Sequence, residues 1–155
     1  MKLTIQSKAE LLNGVEIPRL GLGVWRAKDG AETENAVLAA LEAGYRAIDT
    51  ASMYDNERSV GRAIRASGIP REQTFVTTKA WNNEQGYDNT IAALHRSLER
   101  LEMDYADLYL VHWPVPGKYK ETYRALEDLY AQGLVRAIGV SNFNVRHLED
   151  LMESC

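Results

Sequence analysis

The sequence contains little cysteine, little proline and no long apolar run. Its 155 residues include four prolines and one cysteine, Cys155. A single cysteine excludes both a disulfide framework and a cysteine zinc site within one chain. No apolar run approaches the roughly 20 residues that a membrane-spanning helix needs. The net charge of −4 argues against nucleic acid as a partner, because nucleic acid selects basic surfaces.

The N-terminal residues also lack the apolar segment of a secretion signal, so the cytoplasm is the expected compartment. What is present is ordinary for a soluble globular protein, with 45% hydrophobic and 26% charged residues. The length is sufficient for one well-packed core. We therefore expect a single domain over residues 1–155, with no membrane or nucleic-acid partner.

Apolar segments with the period of a strand alternate with segments with the period of a helix. The predicted strands cover residues 20–25, 45–48, 74–78, 106–111 and 134–140. The predicted helices cover residues 32–43, 57–66 and 119–131, one that begins near residue 89, and one after Asn144, with Asn56 and Asn144 as N-caps. Because parallel neighbours need a crossover, this alternation predicts an α/β fold with a parallel sheet. An open doubly wound sheet and part of a TIM-type (β/α)8 barrel both fit.

Two glycine-containing segments precede this repeat. Asn13-Gly14 suits a type I′ turn and predicts a tight hairpin over residues 11–17, which Pro18 ends. Gly21-Leu22-Gly23 is not a dinucleotide-binding fingerprint, because Arg26 stands where the third glycine would be. The glycines of this segment indicate a close approach by a backbone or a ligand.

Polar side chains with complementary chemistry end four consecutive strands. Asp49 follows the second strand, Lys79 the third and His112 the fourth, and Ser141 and Asn142 follow the fifth. Any one of them could be a cap or a turn residue. Four in succession favour the barrel, because a barrel directs all its strand ends at one pocket, whereas an open sheet spreads them along an edge.

The residue types suggest proton donation to a carbonyl oxygen. Tyr54 is a phenol, and an ammonium group such as that of Lys79 favours its phenolate form. Asp49 would keep the lysine charged and in place. A neutral His112 could orient the carbonyl by a hydrogen bond. No side chain supplies hydride, so a nicotinamide cofactor would have to supply it.

These residues lie in segments that resemble the N-terminal part of the aldo-keto reductases, a family of (β/α)8 barrels that reduce aldehydes and ketones with NADPH. The matching segments are GLGVW at 21–25, GYRAIDTA at 44–51 with Tyr54, Asn56 and Glu57, TTK at 77–79, DLYLVHWP at 107–114 and IGVSNF at 138–143. They occur in the family's order along the whole chain. The resemblance also implies that the N-terminal hairpin closes the bottom of the barrel.

The resemblance assigns a role to each residue of this site. It implies that Tyr54 is the general acid, that Lys79 and Asp49 tune it, and that His112 orients the substrate carbonyl. It places Ser141 and Asn142 at the nicotinamide carboxamide. It places Val24, Trp25 and Asp49 beside the nicotinamide, and Trp25, Trp81, Trp113 and His112 in the substrate pocket. The implied cofactor is NADPH or NADP, and the implied partner is a small carbonyl compound.

Other residues have plainer interpretations. The three tryptophans could simply pack in the core, although their positions after strands favour pocket lining. His95 and His147 lie among polar neighbours in predicted helices and are expected at the surface. Asp104 and Asp107 lie at the N-terminal end of a strand, the face of a barrel that serves stability. No cluster has metal-ligand spacing, so no metal site is predicted.

The number of strand–helix units is five, whereas a complete barrel takes about 250 residues and eight units. We therefore expect an incomplete barrel: a fragment, a truncated reading frame, or a chain that another chain completes. The first and fifth strands would have open edges, through which the chain could also self-associate. The alternative function is a catalytically incompetent piece with a binding or regulatory role.

Overall fold

The computed structural model describes residues 3–154, so that Cys155 lies outside it, and contains a hairpin followed by five strand–helix units. The hairpin strands are β1 (Lys8–Glu10) and β2 (Glu16–Pro18), and the parallel strands are β3 (Gly21–Gly23), β4 (Ala47–Asp49), β5 (Phe75–Ala80), β6 (Ala106–Val111) and β7 (Val135–Val140). The helices are α1 (Ala31–Glu42), α2 (Glu57–Ala66), α3 (Tyr87–Leu101), α4 (Tyr119–Ala131) and α5 (Val145–Met152). None of the helices described is both long and apolar enough to cross a bilayer.

The five parallel strands are arranged in chain order, β3-β4-β5-β6-β7, and each pairs with the next. A doubly wound sheet would reverse its strand order at a switch point. Within residues 3–154 there is no such reversal, so each crossover continues in the same direction. This is the arrangement of a barrel wall, and it confirms the predicted partial (β/α)8 barrel.

Two apolar clusters pack the sheet against its helices. One joins β4 and β5 to α1 and α2 through buried residues that include Val37, Ile48 and Val60. The other joins β6 and β7 to α3 and α4 and includes Tyr109 and Leu126. Burial of each such side chain contributes about 1.5–3 kcal/mol, so the strands form a rigid base for the residues at their ends.

The N-terminal hairpin is present, but the predicted type I′ turn is wrong. That turn needs positive φ at both central residues, whereas Gly14 has φ 82° and Asn13 is not in this region. The Gly14 N–H instead donates to Leu11 O at 2.9 Å. The Asn13 amide donates to the carbonyl oxygen of Arg136 at 2.9 Å, which holds the hairpin against β7.

Asn56 precedes α2 as predicted, but its side chain makes no capping hydrogen bond. It is fully buried and connects two loops at the carboxyl end of the sheet. Its amide nitrogen donates to Val24 O and Ala27 O, both at 2.9 Å, and its amide oxygen accepts from the Thr50 hydroxyl at 2.8 Å. The loops after β3 and β4 are therefore held together by one side chain.

The other helix-terminal and polar predictions have mixed outcomes. Asn144 caps α5, since its amide oxygen accepts from the His147 N–H at 3.1 Å. His95 is exposed as predicted, whereas His147 is half-buried beside the rings of Tyr119 and Phe143. The surface prediction for His147 is thus only partly right, because its ring completes an aromatic cluster between α4 and α5.

Asp107 has the structural surroundings expected of it. Its side chain is fully buried, and its carboxylate lies 2.7 Å from Arg71 Nη2 and 2.8 Å from Arg136 Nη1. It also accepts from the Val76 N–H at 2.9 Å. These contacts connect β5, β6 and β7, and none of them involves the residues at the carboxyl ends of the strands.

Candidate active site

The predicted tetrad converges at the carboxyl ends of β4, β5 and β6. The Lys79 ammonium donates to Asp49 Oδ1 at 2.5 Å and to Thr50 O at 3.0 Å, and it lies 3.4 Å from Tyr54 Oη. The Tyr54 and His112 rings meet edge to face with their centroids 5.7 Å apart. Parallel neighbouring strands therefore bring together four side chains that are up to 63 positions apart in the sequence.

Tyr54 is held by a short 3-10 turn, Ser52–Tyr54, immediately after β4. The Tyr54 N–H donates to Ala51 O at 3.0 Å, and Asp55 ends the turn in the left-handed conformation with φ 54°. The Ser52 hydroxyl lies 3.1 Å from Lys79 O on β5. The turn is thus fastened to the strand that carries the lysine.

Lys79 is a buried cation with a fixed position. Its side chain is 7% exposed, whereas that of its partner Asp49 is 45% exposed. The carboxylate and a backbone carbonyl oxygen hold the ammonium group beside the Tyr54 hydroxyl. Its positive charge stabilises negative charge on the phenol oxygen, which is the charge that develops when the phenol gives up its proton.

His112 is a neutral imidazole at physiological pH. Burial and the nearby charge of Lys79 lower its pKa from 6.5 to about 4. Its main chain is fixed on both sides, because His112 N–H donates to Ala80 O at 3.2 Å and His112 O accepts from Asn142 Nδ2 at 2.8 Å. A neutral imidazole keeps one N–H donor, so His112 can hydrogen-bond a carbonyl oxygen without carrying charge.

A cavity of about 420 Å³ adjoins Tyr54 and His112 of the tetrad. It is lined by Trp25, Met53, Tyr54, Trp81, Asn82, His112, Trp113 and Asn142. Trp25 and Trp113 are 58% and 46% exposed, so they do not pack in the core. Trp81 is half-buried with its ring edge-on to His112 at 5.0 Å. Sequence reasoning missed Met53 and Asn82, although each adjoins a residue that it had selected.

Of the residues predicted to hold a cofactor, Trp25 and Asn142 line this cavity, whereas Val24, Asp49 and Ser141 do not. Asn142 has φ 62°, and its amide nitrogen bonds to His112 O and to Ser141 Oγ, which leaves its amide oxygen outside both bonds. Trp25 lies beneath the Arg26 guanidinium at 4.2 Å. The Val24 side chain is buried in the core, and only its main chain adjoins the site, through a bond from its N–H to Asp49 O at 3.0 Å.

Another cavity of the chain does not form part of this site. A second cavity of about 420 Å³ lies at the opposite end of the strands, between the hairpin and residues such as Arg46 and Arg136, and none of the tetrad lines it. Within residues 3–154 no three His, Cys, Asp or Glu side chains are grouped as a metal site.

Known proteins that are similar to this chain include reductases from two organisms. A model of the Aldo/keto reductase family matches residues 19–154. The chain is 61% identical over 145 residues to the 9,11-endoperoxide prostaglandin H2 reductase of Trypanosoma cruzi, which covers 94% of this chain and 51% of the relative. It is 54% identical over 153 residues to the glyoxal reductase of Bacillus subtilis, with coverage of 99% and 55%.

Solved structures agree with these relatives. An aldo/keto reductase from Brucella melitensis superposes with a TM-score of 0.92 at 49% identity, covering 95% of this chain and 58% of that one. A Bombyx mori aldo-keto reductase in complex with NADP superposes with a TM-score of 0.90 at 39% identity, with coverage of 99% and 56%. The chain thus spans about half the length of the relatives it matches. With this fold and these relatives, it belongs to the aldo/keto reductase family.

Proposed function

We propose that this chain provides the proton-donating part of the active site of an NADPH-dependent carbonyl reductase. One observation carries the proposal: a buried ammonium bridges Asp49 and the Tyr54 hydroxyl beside a neutral imidazole. The tryptophan-lined cavity above these groups gives a small carbonyl compound a place to bind. The cytoplasm remains the expected compartment.

In the proposed reaction, the carbonyl carbon is reduced and the carbonyl oxygen becomes a hydroxyl group. The reduced nicotinamide, when bound, supplies the hydride and its electron pair. Tyr54 supplies the proton to the oxygen as negative charge develops there. Lys79 stabilises the phenolate that results, and Asp49 holds Lys79 in place. His112 orients the carbonyl oxygen by a hydrogen bond without adding charge.

The described residues fit the nicotinamide end of the cofactor. The Asn142 amide oxygen and the Ser141 hydroxyl can bond to a carboxamide, since the Asn142 nitrogen is already used within the protein. Trp25, Asp49 and the main chain at Val24 would adjoin the nicotinamide ring. Support for NADP comes from the Bombyx mori relative, which was solved with NADP bound.

The proposed substrates are small aldehydes and ketones. The glyoxal reductase that is 54% identical to this chain is named for a small dicarbonyl compound. Three tryptophans around a cavity of about 420 Å³ suit a compact, largely apolar ligand with one polar end at Tyr54 and His112.

A second candidate is a piece that needs a complementing chain or has only a binding role. The observation that favours it is the sheet order, which ends at β3 on one side and at β7 on the other within the described residues. Unpaired strand edges favour association with another chain or another copy. This candidate concerns the activity of the isolated chain and leaves the roles of the tetrad unchanged.

The test compares two forms of the protein. The isolated chain is titrated with NADPH by fluorescence, and aldehyde-dependent loss of absorbance at the reduced nicotinamide band is then measured. The second form fuses residues 1–154 to the remaining part of the Bacillus subtilis glyoxal reductase. If only the fused form is active, the isolated chain is a piece that needs a complementing chain or has only a binding role, as the second candidate states. Absence of reduction in a folded fused form that binds NADPH would refute the proposed function.

A further inference from the structure

The carboxylate of Glu84 lies outside the tetrad but contacts two segments that carry site residues. Glu84 ends the 3-10 turn Asn82–Glu84 that follows β5. We propose that it is a positioning residue, which holds the Tyr54 turn and the Trp81 loop in register through one oxygen atom. The proposal rests on the proposed function, because the register matters only if Tyr54 is the acid.

Two hydrogen bonds converge on Glu84 Oε2. The Ser52 hydroxyl lies 2.5 Å from it, and the Trp81 N–H donates to it at 3.1 Å. Ser52 is the first residue of the turn that ends in Tyr54. The Trp81 ring is edge-on to His112 at 5.0 Å. One carboxylate oxygen therefore fixes the backbone beside the acid and the backbone beside the aromatic wall of the pocket.

Ser52 extends this connection to the strand of the lysine. Its hydroxyl proton faces two acceptors, Glu84 Oε2 at 2.5 Å and Lys79 O at 3.1 Å. A carboxylate forms the stronger of two such bonds, because charge-assisted bonds are about twice as strong as neutral ones. Glu84 therefore anchors the hydroxyl, while Lys79 O keeps the turn close to β5.

The burial of the Glu84 side chain favours a structural role in holding its neighbours over a role as a partner in a surface ion pair. Its side chain is 15% exposed, whereas that of its cationic partner Arg96 is 50% exposed and lies 3.4 Å from the other oxygen, Oε1. Arg96 thus balances the charge from the solvent side. The two short contacts on the inner oxygen join residues that are 32 and 3 positions away in the sequence.

A capping role alone does not account for the contact with Ser52. The bond from the Trp81 N–H to the Glu84 carboxylate is sufficient to cap the 3-10 turn. The bond from Ser52 to the same carboxylate adds nothing to that turn. Ser52 gains from it, because the main-chain bonds from Tyr54 N–H to Ala51 O and from Asp55 N–H to Ser52 O stay within its own turn. The side-chain bond is what fastens the Tyr54 turn to the neighbouring loop.

Removal of the anchor should lower turnover more than substrate affinity. In the fused protein, Glu84→Ala and Ser52→Ala should each lower kcat about tenfold or more, since a displacement of about 1 Å can cost about 100-fold. Glu84→Gln should retain more of kcat than Glu84→Ala, because its amide oxygen can still accept both inner bonds, although these bonds lose their charge assistance. Glu34→Ala, which removes a partly exposed carboxylate paired with Arg62, is the matched control.

Hydrogen exchange in the isolated chain tests the Ser52–Glu84 bond and the Trp81–Glu84 bond separately, without any activity measurement. Glu84→Ala should speed exchange of the Trp81 amide and of the Tyr54 and Asp55 amides. Ser52→Ala should speed exchange of the Tyr54 and Asp55 amides while the Trp81 amide stays protected. Unchanged protection of the Tyr54 turn in Ser52→Ala would overturn the proposal, whether or not Glu84→Ala folds.

The kinetic outcomes distinguish this proposal from the proposed function. If Tyr54→Phe abolishes reduction but Ser52→Ala and Glu84→Ala retain kcat, the positioning proposal is wrong and the acid assignment stands. If Tyr54→Phe remains active, the proposed function itself fails. Equal losses in Glu84→Gln and Glu84→Ala would also overturn the proposal, because the acceptor oxygen would then not be what matters.

Discussion

At the scale of single residues, the proposed function makes the phenol oxygen of Tyr54 the proton donor to the substrate. Tyr54→Phe removes that atom and keeps the ring that meets His112. We expect kcat of the fused protein to fall about 100-fold or more, which is the contribution typical of general acid catalysis, with NADPH affinity unchanged. Steady-state kinetics and cofactor titration check this. Tyr105→Phe, in which the ring beneath Arg71 is kept, should leave both parameters unaltered.

Lys79 acts on that oxygen through its charge. Lys79→Met keeps the length of the side chain but removes the ammonium that lies 3.4 Å from the phenol oxygen. Without it the phenolate that forms on proton transfer is less stable, so kcat should fall. Lys120→Met, which removes a surface partner of Asp150, is the control. An unchanged kcat in Lys79→Met would contradict the pairing of lysine and tyrosine.

His112 connects the site to the pH dependence of folding. Its pKa is about 4 in the folded chain and about 6.5 when unfolded, so between these values the unfolded state binds the additional proton. The free energy of unfolding should therefore fall as pH drops from 6.5 to 4, by up to about 3 kcal/mol from this residue. Urea denaturation at pH 7 and pH 4.5 should show that the free energy of unfolding falls less in His112→Gln than in the unmodified chain. The exposed His95 supplies the control, because His95→Gln should keep the full loss.

At the scale of elements, α2 and α3 approach each other at one glycine. A β-carbon at Gly61 would lie 2.1 Å from the carbonyl oxygen of Leu101, at the end of α3. Alanine in a helix interior normally stabilises by up to about 1 kcal/mol relative to glycine. Here Gly61→Ala should instead destabilise by about 1–3 kcal/mol, because backbone must move. Urea denaturation tests this, with Gly23→Ala as the control, since a β-carbon there meets nothing within 4 Å.

The elements that sequence reasoning located best are those with long apolar periods. The bounds predicted for α2, β6 and α4 are those observed: Asn56 precedes α2, Gly133 lies just after the end of α4, and β6 is a largely apolar run that ends just before His112. Short elements were less accurate: β3 covers three residues where six were predicted. Asn56 occupies the N-cap position of α2 as predicted, but its side chain makes no capping bond because it is buried between two loops, and local preference for a cap cannot reveal such tertiary partners.

At the scale of the whole molecule, the five units form one side of a barrel whose strand ends share a pocket. The tetrad is contained within β4, β5 and β6 and the loops that follow them, so all four of the proposed catalytic side chains lie in this chain. The chain covers 51% of the Trypanosoma cruzi relative and 55% of the Bacillus subtilis relative. The comparison of the isolated and fused forms therefore measures what the remaining half of such a relative adds to cofactor binding and turnover.

The sequence by itself determined the order of strands and helices, the family, and the identity of the tetrad. It could do so because apolar period and residue type are local properties. Only the tertiary structure decided that Lys79 bonds to Asp49 at 2.5 Å and lies 3.4 Å from Tyr54, and that His112 is neutral. It alone also identified Glu84 as a partner of Ser52. These features depend on parallel strand register and on burial, which bring together residues 25 to 32 positions apart and exclude water from around them.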